Sequence, residues 1–167
     1  MPYGSWSSPL SAATVASGSV HAEVVAVEDD GIYWIERRPD EGGRSVVCRR
    51  TDGIIADVTP PGTNVRSRVH EYGGGSCLVD AGVVYYSHFP DQRLYRVEPG
   101  QRPVALTPEG PWRYADAAID RVRNRLICIR EDHAPVASGG RASDGGPQAP
   151  AEAVNTLVSI PLEGPPT

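Results

Sequence analysis

The residues most capable of chemistry gather in one short segment, Asn64-Val65-Arg66-Ser67-Arg68-Val69-His70-Glu71-Tyr72, which runs into Gly73-Gly74-Gly75. In extended backbone successive side chains alternate, so Arg66, Arg68 and His70 share one face and Val65 and Val69 the other. Arginines at that spacing can hold a carboxylate in forked hydrogen bonds. They can also serve structure alone, pairing with Glu71, Asp57 or neighbouring strands while the glycines permit a close backbone approach. The structural role is the simpler expectation. A second run, Arg130-Glu131-Asp132-His133, alternates in sign at the end of an apolar stretch and reads as an internal ion-pair cluster.

Other chemistries fail on spacing. His70-Glu71 begins like a zinc-peptidase motif, but that motif needs a second histidine four residues after the first, on one helix face. That position is Gly74, inside a triple glycine that breaks any helix. The glycines match neither a dinucleotide nor a phosphate loop, since no helix follows them. A nucleophile elbow needs glycine two before and two after its serine. Ser76 comes nearest, with Gly74, and fails at Leu78. Without an activated serine a catalytic triad has no centre. The expectation is a chain with no catalytic residue, no metal and no cofactor.

Composition narrows the class further. A net charge of −5 disfavours nucleic acid and anionic membranes as partners, because both demand a basic surface. Cys48, Cys77 and Cys128 are odd in number, far apart and each within an apolar run. They read as buried thiols in a reducing compartment rather than a disulfide framework or a zinc site. No stretch resembles a signal peptide or a membrane span, so the cytoplasm is the expected location.

The elements that must position these residues are short strands. Eighteen glycines and sixteen prolines supply frequent turns and argue against long helices. One short helix is expected over Ser11–Ser17, with Ser11 as its cap and Gly18 after its end. Beyond it, apolar runs of strand length fall into sets: His21–Val27, Ile32–Arg37, Ser45–Arg50 and Ile54–Val58, then Ser76–Val79, Val83–His88, Arg93–Val97 and Val104–Leu106. Tyr114–Ile119, Leu126–Arg130 and Val154–Leu162 begin a third set. Asp52-Gly53 between two extended runs is a strong hairpin signal. Thr59-Pro60 closes the first set and Thr107-Pro108 the second, at the separation of roughly 40–50 residues expected of propeller blades. An ordinary sandwich spaces its strands similarly but gives no reason for matched closures. The expected fold is therefore all-β: a partial propeller of about three four-stranded antiparallel blades, the third incomplete. The blades span about 21–60, 75–108 and 113–167, after an N-terminal segment at 1–20. The Gly/Ala/Pro/Ser-rich stretch 137–153 is expected to be a mobile loop, and Trp34 and Tyr85 to pack neighbouring sheets.

Several of these stretches also resemble a known family. Pro2-Tyr3-Gly4-Ser5-Trp6 with Ser8-Pro9-Leu10, and Tyr33-Trp34-Ile35-Glu36 with Arg38-Pro39, Glu41 and Gly43-Arg44, look like the opening of the acylaminoacyl-peptidase and dipeptidyl-aminopeptidase branch of the prolyl oligopeptidase family. Asn64-Val65-Arg66 and Val69-His70-Glu71-Tyr72-Gly73-Gly74-Gly75 are similar to the most distinctive propeller motif of that branch. Asp91-Gln92-Arg93-Leu94-Tyr95-Arg96, Arg113-Tyr114-Ala115-Asp116 and Arg130-Glu131-Asp132-His133 follow in the family's order. The resemblance implies an N-terminal β-propeller covering an α/β-hydrolase domain, which carries a Ser-His-Asp triad and receives small peptides through the propeller. No residue of that triad is carried over to this sequence. The expectation is a peptidase fragment whose partners are the hydrolase domain and a peptide, and which self-associates when isolated. The rival is a stand-alone propeller-type interaction module.

Overall fold

The computed structural model describes residues 9–11, 20–134 and 153–162. Most of the helix expected over Ser11–Ser17 lies outside the described residues, as does the 137–153 stretch apart from Ala153.

Among the described residues, eleven strands form three antiparallel sheets. The first sheet runs in chain order through β1 (His21–Glu28), β2 (Gly31–Arg38), β3 (Arg44–Thr51) and β4 (Ile54–Asp57). The second does the same with β5 (Cys77–Asp80), β6 (Val83–Ser87), β7 (Leu94–Val97) and β8 (Val104–Ala105). The third holds β9 (Trp112–Asp120), β10 (Arg125–Asp132) and β11 (Val154–Pro161). The first strand of each sheet lies beside the first strand of the next, β1 against β5 and β5 against β9. No barrel closes among the described strands. Up-and-down sheets that meet along their first strands are blades, and the architecture is a partial β-propeller.

Local chemistry explains the turns. Asp52 and Gly53 both take positive φ, 50° and 80°, the geometry that lets a two-residue turn follow strand twist. Ala81 and Gly82 do the same between β5 and β6, at 48° and 77°. Alanine is a poor residue for that position, and the turn is held from the neighbouring blade. The Glu28 carboxylate accepts the amides of Ala81 and Gly82 at 3.1 and 2.7 Å.

The repeated Thr-Pro closures are structurally equivalent. In the first blade the Val58 amide donates to the Val47 carbonyl at 2.8 Å, and Thr59 Oγ1 accepts the Val47 amide at 3.0 Å. In the second, the Leu106 amide donates to the Leu94 carbonyl at 2.8 Å, and Thr107 Oγ1 accepts the Leu94 amide at 3.0 Å. Each hydroxyl thus replaces the backbone carbonyl that one more ladder residue would have offered. Proline follows because it has no amide to continue the ladder.

Two apolar cores lie between the blades. Tyr33, Val47, Val58, Val65, Val79, Val84, Tyr86 and Val97 fill the first. Tyr85, Leu94, Leu106, Tyr114, Leu126, Cys128, Ile160 and Leu162 fill the second. Adjacent residues of a strand face opposite ways, so Tyr85 and Tyr86 send one ring into each core. Trp34 does not pack the blades as expected. Its neighbour Tyr33, fully buried, takes that place, and Trp34 lies across from Cys48 on the other face of the sheet. There its indole donates to Glu36 at 3.4 Å. The cysteines are free, with Cys48 and Cys128 buried and Cys77 only half-buried. Burial pushes all three thiols up to about 12, which leaves them protonated and unreactive.

The paired hydroxyl of the second closure can be tested directly. Thr107→Val keeps the volume but leaves the Leu94 amide unpaired beside the second core. Stability should fall by about 1–3 kcal/mol. Urea unfolding would register a lower midpoint at unchanged slope; an unchanged midpoint would mean that the hydroxyl adds nothing.

Candidate functional site

The chain between β4 and β5 crosses from the outer edge of the first blade to the inner strand of the second, and it carries the segment singled out above. Burial alternates along it. Thr63, Val65, Ser67 and Val69 are buried, whereas Arg66 is partly exposed and Arg68 and His70 are exposed. The expected two faces are therefore present as far as His70. There the extended geometry stops: His70 and Glu71 take φ of 56° and 61°, and the Gly73 amide folds back onto the Val69 carbonyl at 2.9 Å. Glu71 and Tyr72 project outward, Tyr72 at 94% exposure.

This crossover makes only one isolated bridge, Val65 with His88, and otherwise borrows its partners. From the first blade, the Ser45 carbonyl accepts the Val65 amide at 2.9 Å, and Asn64 Oδ1 accepts the Ser45 amide at 3.0 Å. From the second, the Ser87 carbonyl accepts the Arg66 amide at 3.1 Å and Gln92 Oε1 accepts the Arg68 amide at 2.8 Å. From the third, the Tyr114 carbonyl accepts the Ser67 hydroxyl at 2.7 Å, and Glu131 Oε1 accepts the His70 amide at 3.1 Å. The segment pins three sheets together.

The glycines dock on the third blade. A Cβ on Gly74 would lie 2.5 Å from Asp116 Oδ2 and 2.8 Å from the Ala115 Cβ. The Gly75 amide donates to Asp116 Oδ1 at 2.6 Å, and its carbonyl accepts the Asp116 amide at 2.8 Å. Only glycine fits that approach.

The expected pairing of Arg66 and Arg68 with Glu71 or Asp57 does not occur. Asp57 is held by Arg38 at 2.6 Å, which keeps its carboxyl below the usual range. Arg66 and Arg68 instead lie over the ring of Phe89, at 4.6 and 4.3 Å from its centroid. Phe89 sits in the β6–β7 loop, whose own amide bonds the Asn64 carbonyl at 2.8 Å, so the ring is delivered beside both guanidinium groups.

The second charged run divides in two. The Glu131 side chain is buried between Arg113 at 3.4 Å and His133 at 2.7 Å. Arg113 also donates to the Arg68 carbonyl at 3.1 Å. Burial alone would raise the Glu131 carboxyl. The bond from His133, the His70 amide and the two neighbouring charges outweigh it and hold the carboxyl below its ordinary value. Asp132 turns the other way, accepting from the Ala134 amide at 2.8 Å and the Trp112 indole at 3.1 Å. Arg130 lies over that indole ring at 5.7 Å. Sequence reasoning missed Phe89 and Glu28, and it had Gln92 and Asp116 only as members of family-like stretches, with no role assigned to either.

Solved structures decide the kinship. A puromycin-hydrolyzing peptidase of Mycobacterium tuberculosis shares 34% identity over 98% of this chain, with a TM-score of 0.79. Puromycin hydrolase gives 34% and 0.76, and a mutant of puromycin hydrolase complexed with PGG gives 35% and 0.77. The chain is a propeller portion of the prolyl oligopeptidase family. It spans 25% of the length of each of those three structures. No family model and no curated protein matches it.

In this family propeller the crossover, Phe89 and the Glu131 cluster form one polar surface over the junction of the three blades. No described group of three or more His, Cys, Asp and Glu side chains is placed to hold a metal ion. No described helix is long and apolar enough to cross a membrane. What the surface offers is cationic, aromatic and hydrogen-bonding character.

Glu131 supplies a test of the network. Because its folded value is depressed, its stabilising contribution is complete above its ordinary value of 4.5 and is lost as pH falls through the lowered one. Glu131→Gln should cost about 1–3 kcal/mol at neutral pH. The gap to the unaltered chain should narrow steadily below pH 4.5. Thermal melts across pH would show this convergence; a pH-independent gap would assign the loss to packing.

Proposed function

We propose that this chain is the non-catalytic propeller part of a cytoplasmic serine peptidase that hydrolyses short peptides or acylated amino acids. The propeller gates the approach of substrate to an α/β-hydrolase domain carrying the Ser-His-Asp triad. One observation carries the reading: 34% identity over 98% of the chain to a puromycin-hydrolyzing peptidase, of which it spans 25%. The free, protonated thiols favour a reducing compartment. Blades 21–60, 75–108 and 113–167 are the working units of this proposal, with 1–20 preceding them.

The architecture is compatible with that gating role. A propeller offers small ligands a passage along its axis, and here the first strands are neighbours in series, β1 beside β5 and β5 beside β9, as the inner strands of blades are. A folded protein cannot pass between packed blades, whereas a short extended peptide can.

The test is direct. The isolated 167-residue chain should not react with a fluorophosphonate probe and should not cleave puromycin or short peptide anilides. Joined to the hydrolase domain of its parent it should do both, because the domain supplies the serine and its base. Labelling of the 167-residue chain at any serine would refute the proposal.

The isolated chain should also self-associate. Ile54 and Ile55 on β4 are 72% and 62% exposed, and Leu157 on β11 is 76% exposed. Outer strands with bare apolar side chains invite pairing with another copy. Sedimentation should give species larger than a monomer; a monodisperse monomer with a sharp melt would instead favour a stand-alone interaction module.

A further inference from the structure

Arginine is the only strong cation in this sequence, and most described arginines have a carboxylate partner. Arg38 has Asp57 and Glu36, Arg49 has Asp30, and Arg113 has Glu131. Arg37, Arg50, Arg66, Arg68 and Arg102 differ, forming no ion pair among the described residues, and of these Arg66 meets Arg68 over one ring and Arg37 in one cavity. Their placement is specific. Arg66 and Arg68 share one phenyl ring, with guanidinium carbons 4.6 and 4.3 Å from its centroid. Arg66 and Arg37 also line one cavity of about 180 Å³, with His21, Glu23, Ile35 and Ser45.

We propose that Arg66 and Arg68, with Arg37 across the cavity, bind the C-terminal carboxylate of a short peptide. Stacking on Phe89 occupies the flat faces of the two guanidinium groups and leaves their N–H edges open. Forked recognition of a carboxylate uses those edges. The ring also fixes the side chains before a ligand arrives, which lowers the entropy lost on binding. Glu23 on the cavity wall disfavours a doubly charged phosphate and leaves a single carboxylate as the matching anion. Ile35 and Val65 supply apolar wall for the last side chain of the peptide.

The inference deepens the peptidase reading by naming the end of the peptide that the propeller holds, yet its test needs no catalytic serine. Dansyl-Gly-Gly-Ala with a free carboxylate, and the same tripeptide as its amide, would be titrated against the 167-residue chain by fluorescence anisotropy. The acid should bind at least about tenfold more tightly than the amide, as a charge-assisted forked contact requires. Arg66→Gln with Arg68→Gln should abolish the preference, leave amide binding unchanged and leave the melting temperature in place, because both side chains face outward. Arg66→Lys with Arg68→Lys should retain charge and lose most of the preference, since ammonium groups cannot form the fork. Acetate should compete better than inorganic phosphate. Equal binding of acid and amide, a preference that survives the glutamine pair, or stronger competition by phosphate would each overturn the assignment. Failure here leaves the fluorophosphonate result untouched, so the two proposals fall separately.

Discussion

The structure depends on how a half-buried stretch without a ladder of its own satisfies its backbone. Buried amides and carbonyls must find partners, and the crossover from Asn64 to Gly75 runs among three sheets with a single isolated bridge. Its partners are therefore side chains and backbone groups of the blades, at Ser45, Ser87, Gln92, Tyr114, Asp116 and Glu131. Each serves two elements at once. Gln92 accepts from Arg68 while its own amide group donates to the Phe89 carbonyl at 2.7 Å. The Tyr114 carbonyl receives hydroxyls from both Ser67 and Ser87, at 2.7 Å each. Satisfying the crossover thus sets the relative position of the blades. Apolar packing alone, being non-directional, would leave them free to slide.

The apolar cores supply the bulk of the association, and the polar crossover makes it specific. Tyr85 and Tyr86 show the division, since one strand feeds both cores and couples the blades on either side. Glu28 adds a second coupling at the far end of the same junction, where it holds the β5–β6 turn. Each blade therefore helps complete its neighbour. The Ala81 turn carries positive φ because a carboxylate from another sheet fixes both of its amides, not because alanine favours it.

The strands were legible because their period and their turns agree. Apolar runs of strand length, Asp52-Gly53 and the matched Thr-Pro pairs define the two complete sheets to within a residue or two. The alternation of Arg66, Arg68 and His70 against Val65 and Val69 was legible for the same reason. What stayed hidden depends on which neighbour arrives in space. Nothing local distinguishes Tyr33 from Trp34; the packing of the second blade selects the tyrosine face. Nothing local tells Arg66 that its neighbour is Phe89, because the β6–β7 loop brings the ring from a distant part of the sequence. Asp57, the expected partner, was reachable in principle and had already been taken by Arg38.

That competition separates the charges of the junction into two kinds. Glu131 lies among donors that its own folding requires, namely the His70 amide, Arg113 and His133, and removing any of them leaves a buried charge poorer. Arg66 and Arg68 hold no such place. Their backbone is fixed by the buried face of the same segment, through Ser87 and Gln92, so the guanidinium groups are positioned whether or not anything binds them. A segment that is tightly satisfied inward and leaves its charges unpaired outward is rigid where stability needs it and open where a ligand can meet it. The inward Val65, Ser67 and Val69 alternate with the outward Arg66 and Arg68 along one extended segment, so the fold cannot supply the first without presenting the second.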